Sequence, residues 1–579
     1  MNLAKRFLKH GLGIEGVDDP ANAVIVRWGV ALAVAAVAIR FFFWWYTRRV
    51  WEDALITVLH AENVVRGIGM THYRTGQPPL HGFTSPLSVL VPLMGDLLRL
   101  GFGLQFIKIV GAFCGGLTVC YAMGLAMHPK TRLPAPMAVM MMGYLAFEHH
   151  QILWGVSGME TQIVTAILLM SFYYLVVWKP VPLGVSLGLC MLARPDFAMW
   201  TVIAGAYVIF KDWRALPRIV AVALAVYLPW IVFTTIYYGS PIPNTILAKS
   251  LGYSAWWRDP NLTFTDIKRN VWDRVTGTYL PNTVFQPLGP CFGGHGTGFR
   301  AVVHDKGAIA NTMLAFALLG TLGAFVRRWW TLFPVAFFVF VYSIYYVFFV
   351  PYVFGWYVVP LVAATIILSA HGFAWVSALL HSPRLRTAAL SAVAVLYLGC
   401  LLGLLPKTFA AEKQIQEKVE NRVRKQIGLY LNTVMGQDES IGCEPLGYVG
   451  YYSQRTVYDW PGLANRKVVQ YSREHPEGRT MNDMFEHFRP DYLVLRFYEY
   501  NYLKGHKGGW IEKDYEVVKH FQTDPNEIKG ILLIAANQDK DYLVLRKIPD
   551  RRPSERNSEN AAGQPSDMRT GVRSPSIHP

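Results

Sequence analysis

Residues 21–57 read ANAVIVRWGVALAVAAVAIRFFFWWYTRRVWEDALIT. The run from Ala21 to Tyr46 is apolar apart from Asn22, Arg27 and Arg40, and it exceeds the roughly 20 residues a helix needs to cross a bilayer. The chain then turns polar at once, with Arg48, Arg49, Glu52 and Asp53 just beyond the span. Ahead of it, Met1 to Asp19 is polar and basic, with Lys5, Arg6 and Lys9, and lacks a short apolar core followed by a small-residue cleavage site. That pattern predicts an uncleaved signal anchor with its N-terminus in the cytoplasm.

Further apolar segments follow at 104–127, 133–147, 157–177, 181–193, 197–210, 218–238, 307–326, 330–350, 357–378 and 386–405. The composition agrees with a membrane protein. Apolar residues make up 53% of 579 and charged residues only 16%, where ordinary soluble domains carry about 25% charged residues. A purely soluble or disordered chain is thereby excluded. The net charge of +16 fits basic cytoplasmic loops better than a nucleic-acid partner. Six cysteines are too few for a disulfide scaffold.

The segment 86–98 decides the parity. It is 13 residues long and contains Asp96, a length typical of re-entrant or interfacial helices. If it does not cross, His128 to Arg132, Lys179, Lys211, Arg214, Arg218, Arg327, Arg328, Arg384 and Arg386 all lie inside, as the positive-inside rule prefers. The expectation is eleven crossings, with the N-terminus cytoplasmic and the C-terminus outside. Arg48 and Arg49 are the main violation. The polar clusters 48–85, 148–161, 194–196, 241–249 and 351–357 then share the outer face, which suggests a site, although loops are commonly polar for other reasons.

Four regions are expected: a cytoplasmic segment 1–20, a membrane domain 21–406 with outer loops 47–103 and 239–306, an outer α/β domain 407–549, and a disordered tail 550–579. The 239–306 loop is longer than a connection needs. It holds Trp256, Trp257 and the Gly-rich run Gly289 to Gly298, which is no P-loop because Gly-Lys-Ser/Thr is missing. In the outer domain, 455–459, 531–535 and the repeated hexapeptide DYLVLR at 491–496 and 541–546 read as strands, by their β-branched, Leu and Tyr content. The repeat fits two similar core strands. Cys291 and Cys443 are both expected outside and free to pair.

Residues 51–65 carry helical apolar spacing through Leu55, Val58, Leu59, Ala61 and Val65, which predicts an amphipathic helix in the outer interface. Glu52 and Asp53 at its start have three readings: deprotonating an acceptor hydroxyl, coordinating a metal, or favouring the helix N-terminus electrostatically. His149 and His150 beside Glu148 suggest a divalent ion, but no His pair four apart is present, so no cofactor is expected. Trp356, in the aromatic run from Tyr342 to Tyr357, reads either as bundle packing or as a wall of a sugar site.

Several motifs, taken in order, resemble one family. Trp51-Glu-Asp-Ala-Leu-Ile through His81-Gly-Phe-Thr-Ser-Pro-Leu87 is similar to the first outer loop of GT-C glycosyltransferases, within the bacterial group that includes a mycobacterial terminal arabinofuranosyltransferase. Ser157-Gly-Met-Glu-Thr161, Leu192-Ala-Arg-Pro-Asp196, Tyr237 to Lys249 with its Pro-Asn-Thr and Ala-Lys, and residues 447–463 resemble further landmarks of that group.

The resemblance implies a mainly α, polytopic GT-C-like protein with a C-terminal outer α/β domain. It implies a polyprenyl-phosphate sugar as donor and a glycan or lipid-linked acceptor at the outer face, among membrane lipids and with no nucleic acid. Glu52 or Asp53 would be the general base; Glu stands first where many relatives carry Asp, so the choice between them stays open. Arg48, Arg49, Arg194 and Lys249 would hold phosphate, with Asp196 alternatively pairing Arg194. Glu160, Asn244 and His81 would contribute to substrate binding. Direct displacement would invert the anomeric carbon. Two other readings are a transporter or flippase of a lipid-linked sugar and a non-catalytic assembly partner.

Overall fold

The computed structural model describes residues 2–72, 78–253, 262–276, 284–289, 307–328, 330–350, 353–505, 509–528 and 539–549. Trp256, Trp257, Cys291, most of the Gly-rich run, the expected strand 531–535 and the tail 550–579 lie outside the described residues.

Every apolar segment expected to span is helical, from Ala23–Thr47 to Pro383–Ile415. Among the described residues six helical stretches are long and apolar enough to cross a membrane, or seven if His149–Val156 and Thr161–Val177, bent by 115° at Ser157–Glu160, form one broken span. Leu87–Leu98, Ala135–Phe147, Pro180–Ala193 and Phe333–Phe349 are apolar but shorter, so length alone accounts for fewer crossings than the eleven expected. The chain is a multi-pass membrane protein with a mainly helical fold and one small sheet.

Small residues let the helices meet at their backbones. A Cβ on Gly372 would overlap the Phe316 carbonyl, and one on Gly320 the Leu368 carbonyl, where Gly307–Val326 crosses Gly355–Ser377. Arg40, fully buried in the first span, donates to the carbonyls of Ala36, Leu145, Ala146 and Gln151 and to Gln162 Oε1 at 2.8–3.2 Å. It ties three helices together, as a buried guanidinium must find several acceptors.

The first span ends at Arg48, whose backbone is left-handed (φ 54°). That turn leaves Arg48 exposed and Arg49 buried. The helix Glu52–Val65 follows, but it does not lie in the interface. Ala54, Leu55, Ile56, Val58, Leu59, His60, Ala61, Glu62 and Asn63 are all buried. The helix is enclosed because the C-terminal domain's Leu446–Ser453 packs on the side expected to face water. The short helix Leu87–Leu98 packs beside it, and buried Asp96 accepts from the Gly101 and Gly103 amides at 2.9 and 2.8 Å, fixing the start of Gly103–Met127.

The helix beginning at Pro383 continues through 416–424 to Val434. Its 52 residues form a rod of roughly 80 Å at 1.5 Å per residue, unbroken across position 407. Beyond it lies a five-stranded sheet in the order β2-β1-β3-β5-β4, comprising β1 Ser440–Cys443, β2 Thr456–Asp459, β3 Tyr492–Arg496, β4 Tyr515–Gln522 and β5 Asp541–Lys547. β1 runs parallel to β2 and β3, while β5 runs antiparallel to β3 and β4. The identical hexapeptides are neighbours: Val494 pairs with Val544, Arg496 with Tyr542 and Tyr492 with Arg546. Each arginine lies over the opposite tyrosine, at 5.7 and 5.9 Å, so the repeat builds a local two-fold. Leu493, Leu495, Leu543 and Leu545 face one core, and Val494 and Val544 the other.

Candidate active site

A cavity of about 470 Å³ opens where the first-loop helix, the broken span and the start of Gly355–Ser377 converge. Chain breaks supply its polar groups. Asp53 stands in the first turn of Glu52–Val65, Glu160 in the bend between two helices, and Arg194-Pro195-Asp196 between Pro180–Ala193 and the helix starting at Ala198. Lys249 comes from the short helix Asn244–Gly252, and Trp356 and Tyr357 from the first turn of Gly355–Ser377. All eight named residues line the cavity, together with Thr84, Ser85, Tyr346 and the sheet domain's Leu463.

Arg194 is already engaged. Its Nε and Nη2 donate to the Asp196 carboxylate at 3.0 and 2.8 Å, and Nη2 also reaches the Tyr346 hydroxyl at 3.2 Å. Its guanidinium lies 4.7 Å from the Tyr357 ring centre. Among the described residues Lys249 has no carboxylate partner, and it donates to the Tyr357 hydroxyl at 2.9 Å. Burial lowers its affinity for a proton, but Tyr357 and Asp53 outweigh that, and its pKa is raised. Lys249 is therefore a full cation facing the cavity. Trp356 is buried with Trp51 and Trp154 at 5.6 and 5.2 Å between ring centres, and it serves both packing and wall.

The two adjacent carboxylates diverge, as residues one apart on a helix must. Glu52 turns to the sheet domain, pairing with Arg424 Nη1 at 2.8 Å and accepting the Gly447 amide at 3.2 Å. Burial pushes its pKa up to about 8, with Arg424 opposing and Glu420, Glu444 and Asp539 adding. Asp53 turns to the cavity, and among the described residues no donor reaches it. Burial raises its pKa too, while Lys249 and Arg424 pull it down.

Other expected site residues lie elsewhere. Arg49 is 3% exposed and paired with Glu412 at 2.9 Å and Glu420 at 3.1 Å. Arg48 is exposed and does not line the cavity. Neither arginine faces the site, because the rod helix brings its own carboxylates to Arg49. Asn244 Nδ2 donates to the Gly462 and Leu463 carbonyls at 2.7 and 3.2 Å, clamping the helical domain to the sheet domain. His81 is buried and stacked on Tyr238 at 4.7 Å, and burial lowers its pKa to about 3. It is a neutral packing ring. Glu148 caps its helix through the His150 and Gln151 amides and binds His150 Nδ1 at 2.7 Å. Among the described residues no group of three or more His, Cys, Asp or Glu is arranged to hold a metal ion. Cys443 is a free buried thiol.

Sequence reasoning missed Tyr346, Tyr357, Thr84, Leu463 and Arg424. The first two sat inside the aromatic run read as packing. Thr84 and Leu463 lay within quoted motifs without a role. Nothing local marks Arg424.

Residues 409–545 match a family described as a domain of unknown function, DUF8728. The terminal β-(1→2)-arabinofuranosyltransferase of Mycobacterium tuberculosis is 26% identical over 259 residues, 40% of this chain and 40% of that protein. The chain thus spans well under half the length of this curated relative. Two solved structures share the fold at a TM-score of 0.50: ArnT from Cupriavidus metallidurans in the apo state, 12% identical over 88% of this chain and 97% of that one, and the apo Archaeoglobus fulgidus oligosaccharyltransferase, 13% identical over 82% and 69%. This chain shares the fold of ArnT and of the oligosaccharyltransferase.

Proposed function

We propose that this chain is a GT-C glycosyltransferase that moves a sugar from a polyprenyl phosphate to an acceptor hydroxyl at the outer face of a bacterial plasma membrane. The observation that carries the reading is Asp53, a carboxylate without a hydrogen-bond donor among the described residues, facing the cationic Lys249 across a membrane-edge cavity. A base needs free lone pairs, and a departing phosphate needs a nearby cation.

In this reading Lys249 holds the donor phosphate and the Tyr357 hydroxyl orients Lys249. Arg194 shapes the phosphate side of the cavity while Asp196 neutralises most of its charge. The acceptor oxygen attacks the anomeric carbon from the face opposite the phosphate. Its proton passes to Asp53, the bond from anomeric carbon to phosphate oxygen breaks, and polyprenyl phosphate leaves with the bonding pair. The anomeric configuration inverts. Glu160 and Trp356 contact the sugar. Arg48 interacts with lipid headgroups, and Arg49 serves structure. Glycan or lipid-linked acceptors enter from the side walled by Leu463, with residues 1–20 cytoplasmic and the sheet domain outside.

The test offers the purified chain in nanodiscs a panel of polyprenyl-phosphate pentoses and hexoses with cell-envelope glycan acceptors. The reading expects transfer from one donor, with product of the opposite anomeric configuration by NMR. Retention of configuration, or donor movement across a bilayer without transfer, contradicts it.

A further inference from the structure

Asp53 has no hydrogen bond of its own among the described residues, so the direction of its side chain depends on the first turn of Glu52–Val65. That turn is gripped from the outer domain. Arg424 Nη1 pairs with Glu52 Oε2 at 2.8 Å, and the Gly447 amide donates to Glu52 Oε1 at 3.2 Å. Gly447 lies so close that a Cβ there would overlap the Glu52 carbonyl and its Cγ. The Tyr448 hydroxyl donates to the Val50 carbonyl at 3.2 Å, and Tyr451 donates to Glu62 one helix length further on.

Arg424 is itself fixed. It meets Asp539 at 2.5 Å and Glu420 at 3.2 Å, and Asp539 also takes Arg496 Nε at 2.6 Å and the Tyr542 hydroxyl at 2.7 Å. The grip therefore runs from β3 and β5 through Arg424 to the residue next to Asp53. Buried ion networks of this kind are weak devices for stability, because desolvation offsets much of their attraction. Their better-attested use is to specify one geometry.

We propose that Arg424 and Gly447 are positioning residues for Asp53, holding Glu52 so that the neighbouring carboxylate enters the cavity at the angle transfer requires. The inference rests on the glycosyltransferase reading and deepens it. The sheet domain becomes part of the catalytic apparatus and is not confined to binding an acceptor. Glu52 acts through its neighbour and does not itself take the proton.

The experiment uses the full chain in nanodiscs with the donor that supports transfer, and compares Arg424→Met, Arg424→Lys, Gly447→Ala and Glu52→Gln. A misplacement of about 1 Å costs on the order of 100-fold in rate. Turnover should fall by about that factor in Arg424→Met and Gly447→Ala, with the donor Michaelis constant unchanged. Arg424→Lys keeps the charge and should recover part of the turnover. The charged groups coupled to Asp53 are Lys249, Glu444, Arg424 and Glu160. Of these, Lys249 and Arg424 favour the ionised carboxylate, so loss of Arg424 in Arg424→Met moves the acid limb of the turnover profile to higher pH. A role in folding alone would lower the active fraction without lowering turnover per donor-binding molecule, which is the quantity the proposal expects to fall and Arg424→Lys to recover in part. If Gly447→Ala does not fold, the isosteric Glu52→Gln and the conservative Arg424→Lys carry the test. Folded variants with undiminished turnover, or with donor binding lost in parallel, overturn the inference while an inactive Asp53→Asn keeps the underlying reading. A fully active Asp53→Asn overturns both.

Discussion

Lys249 offers the sharpest perturbation of the cavity. In Lys249→Met the cation disappears while the aliphatic stem is kept. The structure gives Lys249 one hydrogen bond, to Tyr357 at 2.9 Å, and a pKa raised by Tyr357 and Asp53 against the effect of burial. A charge-assisted bond to phosphate contributes roughly 1.5–3 kcal/mol, so polyprenyl phosphate should bind about 10- to 100-fold more weakly. A second effect follows from the same charge. Lys249 draws the Asp53 pKa down against burial, so its removal raises that pKa further. The base must be ionised, and turnover is lost as pH falls through its pKa. The acid limb therefore moves to higher pH in the variant. Titration of nanodisc protein with polyprenyl phosphate reads the first effect, and turnover against pH at saturating donor reads the second. Undiminished affinity together with an unmoved limb would refute the reasoning, because no other described residue offers an uncompensated cation at Asp53.

Three further outcomes are expected. Arg49→Met removes the arginine partner of buried Glu412 and one of the two arginine partners of Glu420, and breaking such a buried pair costs about 3–5 kcal/mol; thermal unfolding should move down while any folded fraction binds donor normally. Gly372→Ala places a Cβ into the Phe316 carbonyl, and because backbone cannot yield cheaply the variant should fail to give monodisperse protein, whereas Gly399→Ala, with open space around it, should not. Glu52 has a folded pKa of about 8 against 4.5 for the free group, so its contribution to stability is fully present below pH 4.5 and is lost as pH rises towards 8. Glu52→Gln should remove that part of the slope, and parallel melting curves of variant and parent between those pH values would contradict the assigned burial.

Much of the fold was legible because the chemistry of a membrane segment is one-dimensional. The span Ala23–Thr47 and the short helix Leu87–Leu98 follow from apolar length alone. Within the site, Asp53, Glu160 and Lys249 were legible as polar groups at breaks between apolar helices. Pairing was not. Arg49 looked like a phosphate ligand because its partners, Glu412 and Glu420, lie more than 360 residues further along the chain. The helix Glu52–Val65 looked interfacial because its polar side is covered by Leu446–Ser453, which no local pattern announces. Glu52 and Asp53 could not be ranked until Arg424 was seen to hold one of them. In the sheet domain β3 and β5 were readable from alternating Tyr, Leu and Val, while β1 is only four residues and the edge strand β4 carries Glu516, Lys519 and His520, which blur its pattern.

The central claim is that Asp53 receives the acceptor proton. The most direct test is single-turnover transfer by Asp53→Asn beside Glu52→Gln, with donor occupancy measured in the same nanodiscs. The account predicts that Asp53→Asn binds donor as the parent does and transfers nothing, while Glu52→Gln transfers slowly and keeps an acid limb in its pH profile. Transfer by Asp53→Asn at the parental rate would contradict it.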